Sequence, residues 1–96
     1  MGSSKTSELT VSGSKASRII DGLSKGISFK IMKTLKRGPQ DVSTLSKKLN
    51  VSQPYISQCV NGLQRLGLID VDYEPGKKGI RKICKKKISR ITIIIK

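Results

Sequence analysis

The chain has 96 residues, enough for one domain, and carries 20 Lys+Arg against 6 Asp+Glu, a net charge of +14. That excess favours a polyanionic partner such as nucleic acid, whose long-range attraction raises association rates, although a basic surface can also merely solubilise a thermostable protein. There is no run of about 18 apolar residues to cross a bilayer and no apolar core of a secretory signal near the start, which argues against a membrane partner and for an intracellular, cytoplasmic location.

Residues 1–13 are rich in Ser, Thr and Gly without an apolar period, the composition of a disordered tail, and residues 14–96 then form the single folded domain. Ala16, Ile19, Ile20 and Leu23 recur at helical spacing and predict a first helix over 15–24, ended by Gly26. Ile27, Ile31 and Leu35 lie four apart and predict a second over 27–37, with Lys36 and Arg37 favourable against the helix dipole and Gly38-Pro39 as the stop. Val42, Leu45 and Leu49 carry a third helix, capped by Asp41 or Ser43 and followed by Asn50, a residue type that tolerates the left-handed turn ending many helices. Ser52 caps a fourth helix, Pro54 falls in its first turn, Ile56, Val60 and Leu63 face inward, and Gly67 ends it after Leu66.

From Leu68 to Glu74 the pattern alternates, with Ile69, Val71 and Tyr73 on one face and Asp70, Asp72 and Glu74 on the other, as in a half-buried strand. Pro75-Gly76-Lys77-Lys78-Gly79 is a turn by composition, and Ile80 to about Lys86 returns as the partner strand. Ser89–Ile95 is β-branched almost throughout and reads as a third strand. Left bare, it would be an aggregation-prone edge, so it must either complete a sheet within the monomer or pack across a two-fold dimer. The order describes an α+β fold, mainly α: about four helices, a β-hairpin and a C-terminal strand. The third and fourth helices form a helix-turn-helix that runs into a wing, a unit able to place one helix in a DNA major groove.

On the fourth helix the positions left over by the apolar stripe are Gln53, Tyr55, Ser57, Gln58 and Asn61. They carry hydroxyls and amides with few charges. Gln and Asn can bond adenine N6 and N7 in pairs and Ser can serve either base type, so these five are the candidate base-reading residues, set against an ordinary polar helix face. Candidate phosphate contacts lie around them: Ser43 and Thr44 at the amide-rich start of helix three, Lys47 and Lys48 near its end, and Lys77, Lys78 and Arg81 in the wing. Residues 75–96 hold nine basic side chains and no acid. Such contacts position a protein on DNA without choosing sequence.

Other chemistry finds little support. The chain has no histidine, no paired carboxylates on a helix face, and no Gly-rich loop between strand and helix, so an enzyme is not expected. Cys59 and Cys84 stand 25 positions apart with no CxxC or Cys/His cluster. They read as free thiols rather than a metal site, with a redox or disulfide role as the alternative, and no cofactor or metal is expected. The Asp70/Asp72/Glu74 row reads as a strand's wet face opposite lysines.

At this point the chain resembles the winged helix-turn-helix transcription regulators of the ArsR/MarR type, small archaeal and archaeal-virus members in particular. The resemblance covers about residues 16–85: Ile20 through Leu35 is similar to the opening helix pair, Leu45–Leu49 with Val51-Ser52-Gln53-Pro54-Tyr55-Ile56-Ser57-Gln58 to the LSxxLxVSQxxVSxxL signature, and Leu66-Gly67-Leu68-Ile69 to the step into the wing. It implies that Gln53, Tyr55, Ser57 and Gln58 occupy base-reading positions and that a homodimer binds a pseudo-palindromic site. Two departures stand out. The cysteine-containing metal box of the metal-sensing members is absent. The usual C-terminal dimerisation helix has no counterpart, and Ile88–Ile95 stands in its place. Dimerisation is therefore expected through helix one and the last strand, at Ile19, Ile20, Leu23, Ile91, Ile93 and Ile95.

The resulting expectation is a site-specific, homodimeric regulator of double-stranded DNA. Helix 52–66 would lie in the major groove and the wing, about 74–82, on the backbone or minor groove. It would act in the cytoplasm, associated with the nucleoid, or in a host's cytoplasm if viral. Two alternatives compete. An architectural protein coating DNA would show a steep salt dependence and no preferred site. A winged-helix module for RNA or a ribonucleoprotein would want more stacking surface than Phe29, Tyr55 and Tyr73 provide.

Overall fold

The computed structural model describes residues 7–96. In chain order it runs β1 (Glu8–Ser12), α1 (Gly13–Ser24), α2 (Ser28–Leu35), β2 (Gln40–Asp41), α3 (Val42–Leu49), α4 (Gln53–Arg65), β3 (Ile69–Gly76), β4 (Gly79–Lys86) and β5 (Arg90–Ile94). The apolar stripes meet in one core, in which Ile19, Ile31, Leu35, Leu45, Ile56, Val60 and Leu63 from the four helices close on Leu68, Ile69 and Cys84 at the base of the hairpin. This is the winged helix-turn-helix arrangement expected from the helical and strand periods. Among the described residues no helix is long and apolar enough to cross a membrane.

The turn chemistry explains the helix ends. The Asp41 carboxylate accepts from the Thr44 amide at 2.7 Å and starts α3, and Ser52 does the same for Tyr55 in α4. Asn50, at φ 57° and ψ 48°, closes α3 in the left-handed conformation that its short amide side chain tolerates. Past α4, Gly67 at φ +78° lets its own amide reach Gln64 O and lets the Leu68 amide reach Leu63 O, a paired closure that needs a residue without Cβ strain. These two stops set where α4 begins and where the hairpin leaves it.

β3 and β4 pair antiparallel from Ile69↔Lys86 to Gly76↔Gly79, so Lys77 and Lys78 make the tip. Burial fades along the hairpin: Ile69 is in the core, whereas Tyr73 is 65% and Ile80 77% exposed. The half-buried strand of the sequence pattern is thus buried only at its base, and the rest projects as a wing. The carboxylates of its wet face do meet cations, Asp72 with Lys85 at 2.9 Å and Asp70 with Lys87 at 4.0 Å.

Three expectations need correction. Residues 1–6 of the expected tail lie outside the described residues, but 8–12 form β1, which pairs in parallel with β5 from Glu8↔Arg90 to Ser12↔Ile94, and Gly13 opens α1. Leu9-Thr10-Val11 is too short to display a period. It becomes a strand because a β-branched partner comes alongside it from the far end of the chain. That pairing also covers one edge of β5 within the monomer. Second, β2 has no signal of its own: two residues bond to Ile83 and Cys84 and widen the wing to three strands. Third, Ile19, expected at a dimer interface, is 1% exposed and belongs to the core, since it lies on the α1 face shared with Ala16 rather than beside Ile20.

Candidate nucleic-acid interface

The exposed side of α4 is flanked by two grooves. One, of about 670 Å³, lies between α4, the start of α3 and the wing. It brings together six of the sequence-predicted residues, Ser43, Gln53, Ser57, Lys77, Lys78 and Arg81, with Lys82 added. The other, of about 620 Å³, lies between α4 and α1 and takes in Tyr55 and Gln58 together with Arg18, Lys25 and Arg65. The five candidate reading residues are therefore split: Gln53 and Ser57 face the wing, Tyr55 and Gln58 the opposite side. Asn61 joins the wing side through its bond to Lys82.

The wing is tied to α4 by one cation. Lys82 Nζ donates to Asn61 Oδ1 at 2.7 Å and to Ser57 Oγ at 3.0 Å. Lys82 can reach both because it shares a hairpin face with Cys84, two residues on, which is buried against the helices. A second tie runs to α3. Arg81 places Nη2 2.9 Å and Nε 3.0 Å from Asp41 Oδ2, and Nη1 3.9 Å from Glu74. The hydrogen bonds from Thr44 hold the Asp41 carboxyl below its ordinary range, with Arg81 adding to them.

The surroundings of the expected phosphate contacts differ from one to the next. The Thr44 amide donates to the Asp41 carboxylate, which places a negative charge at the start of α3 beside Ser43. Arg81 lines the groove while pairing with Asp41 and Glu74. Lys47 and Lys48 are exposed on the last turn of α3, where Lys48 reaches Gln40 at 3.4 Å, but neither lines the groove. Lys77 and Lys78 stand exposed at the tip as expected. On the far side, Tyr55 keeps its hydroxyl against the backbone of Gly26, which has φ +51° and no room for a side chain. Sequence reasoning counted Lys82 only within the basic run of 75–96 and passed over Arg18, Lys25 and Arg65. The signal for Lys82 was present in the two-residue alternation that places it on the face of Cys84. Arg65 lies on the last turn of α4 itself, and Arg18 and Lys25 become its neighbours only through the packing of α1.

Comparison with known proteins agrees with the fold. Residues 29–71 match the profile of the family described as bacterial regulatory protein, arsR family. Among solved structures, the chain is similar to reduced HlyU from Vibrio cholerae N16961, with 23% identity over 78% of this chain and 75% of that one at a TM-score of 0.67. It is also similar to the transcriptional regulator HlyU from Vibrio vulnificus CMCP6, with 25% identity, coverage of 76% and 72%, and a TM-score of 0.63. A transcriptional regulator homologue from Pyrococcus horikoshii OT3 has the same fold at 18% identity, with coverage of 78% and 77% and a TM-score of 0.62. Curated protein sequences returned no significant match. The family and the fold are those of transcription regulators rather than enzymes, and the segment that matches spans α2, the helix-turn-helix and the start of β3. The chain is thus a winged helix-turn-helix protein whose residues 29–71 match the arsR family profile.

Proposed function

We propose that the chain is a site-specific, double-stranded-DNA-binding transcription regulator that acts as a homodimer in the cytoplasm. α4 enters the major groove, with Gln53, Ser57 and Asn61 on its wing side and Tyr55 and Gln58 on the other. Lys77 and Lys78 at the wing tip meet the sugar–phosphate backbone or the adjacent minor groove. The observation that carries this reading is the open groove between a polar helix face and a basic hairpin, with the wing tied to α4 by Lys82 and to the start of α3 by Arg81. Phosphate contacts fix orientation while the amide and hydroxyl side chains discriminate bases. Regulation is then steric: a bound dimer blocks or recruits polymerase.

The dimer is formed by the exposed apolar side chains of α1 and the last strand. Ile20 is 52%, Ile93 40% and Ile95 93% exposed, and Leu23 and Ile91 lie partly buried beside them. Two basic bodies associate only if apolar burial outweighs their repulsion, and no charged residue interrupts 91–95.

Selection of the purified protein against a random duplex library at near-physiological salt tests the proposal. An enriched inverted repeat, with half-sites about one helical turn apart, is the expected result. Tight, salt-sensitive binding without enrichment would replace it with the architectural reading.

A further inference from the structure

The wing-side amide and hydroxyl of α4 are not free to present either end to a base. A lysine ammonium has three donors and no acceptor, so the oxygen of Asn61 must be the atom turned toward Lys82. That leaves the Asn61 NH₂ as the end of the amide directed away from β4. Ser57 likewise accepts from Lys82, which leaves its own hydroxyl hydrogen to donate elsewhere. Two of the three ammonium hydrogens are used, and the third adds one more donor. The cluster as a whole offers donors and a positive charge.

We infer that Lys82 is a specificity-determining residue which sets Ser57 and Asn61 as donors, so that the wing side of α4 reads the acceptor-only N7/O6 edge of guanine. This deepens the DNA-reading assignment above and rests on it. It also departs from the adenine pairing expected of an asparagine. Adenine shows N7 as acceptor beside the N6 amino group as donor, so it needs both ends of the amide. Here the carbonyl faces the wing, and the ammonium beside it opposes a further donor. The Lys82 atoms lie in the groove between helix and wing and act through Asn61 and Ser57, with the third hydrogen able to touch the base itself.

The test uses the full chain and random-duplex selection, followed by titration of defined duplexes. The base pair read by the cluster is the one whose preference disappears in Asn61→Ala. Wild-type protein should require guanine there, and 7-deazaguanine or adenine at that position should weaken binding at least tenfold. Lys82→Met should keep a cooperative melt and, whatever affinity it loses on all duplexes alike, lose the guanine preference and accept adenine. Lys82→Arg, which restores donors, should recover guanine. Adenine selected by the wild type at that position, or a preference unmoved by Lys82→Met, would overturn the inference while leaving DNA reading intact. So would an Asn61→Ala profile identical to wild type. The 7-deazaguanine arm uses wild-type protein at the position that Asn61→Ala identifies and stands even if Lys82→Met fails to fold. Absence of any preferred duplex would instead overturn the parent assignment, and the inference with it.

Discussion

Asp41 and Arg81, whose carboxylate and guanidinium approach to 2.9 Å, join the first residue of the helix-turn-helix to the wing. One carboxylate performs two tasks: Oδ1 caps α3 through the Thr44 amide and Oδ2 anchors Arg81. Because Arg81 is half exposed, the ion pair contributes little to stability on its own, and the cap contributes more. Asp41→Ala should cost about 1 kcal/mol through the lost cap, and Asp41→Asn, which retains a cap oxygen, should cost less.

The sign of the pH dependence follows from the lowered Asp41 pKa. A carboxyl whose folded value lies below its ordinary 3.8 contributes stability that is present above that value and is lost as pH falls through the folded value. The stability difference between wild type and Asp41→Ala, from urea melts across a pH series, should be constant near neutrality and shrink below about pH 4. A difference that grew on acidification would contradict the assigned role.

Reading and anchoring residues should separate by phenotype. Gln58→Ala alters one face of α4 and should relax the preference at the base pair it reads by about 1–3 kcal/mol. Lys77→Ala, at the exposed wing tip, should weaken all duplexes alike and lower the slope of log affinity against log salt by about 1. Binding curves at several salt concentrations for preferred and scrambled duplexes decide the matter. Gln58→Ala with an unchanged motif, beside Lys77→Ala with a changed one, would reverse the assignment of helix and wing.

The helices and their stops were legible because each is encoded locally: Asp41 and Ser52 as caps, Asn50 and Gly67 as terminators, and apolar stripes at steps of three and four. What escaped depended on distant partners. Leu9-Thr10-Val11 is a strand only because Ile91-Thr92-Ile93 lies alongside it, and Gln40-Asp41 only because Ile83 and Cys84 do. The candidate site divided in the same way. Which residues of α4 are polar and outward could be read directly. That Lys82 would occupy two of them, and Asp41 would claim Arg81, required the hairpin to be placed against the helix.

The two thiols should differ sharply in reactivity. Burial pushes Cys84 up to about 11, whereas Cys59 lies partly exposed on α4. Since the thiolate is the nucleophile, native alkylation at pH 8 should label Cys59 and leave Cys84 until the chain is denatured, as peptide mass mapping would read out. Equal labelling of both under native conditions would mean that the base of the wing opens readily.

The proposed dimer can be tested at a residue whose substitution leaves the monomer intact. Ile95 is 93% exposed, so Ile95→Glu removes nothing from the core and should alter monomer stability by no more than about 0.5 kcal/mol. Ile20, 52% exposed on α1, provides an independent position on the same proposed surface. Sedimentation equilibrium at micromolar concentration should find the wild type dimeric and Ile95→Glu or Ile20→Glu shifted toward monomer. Each variant should lose affinity for an inverted repeat far more than for a single half-site, because linking two reading helices makes the second contact intramolecular. A wild type that sediments as a monomer, and binds inverted repeats no better than half-sites, would remove the two-fold dimer from the proposal and leave a monomeric DNA reader.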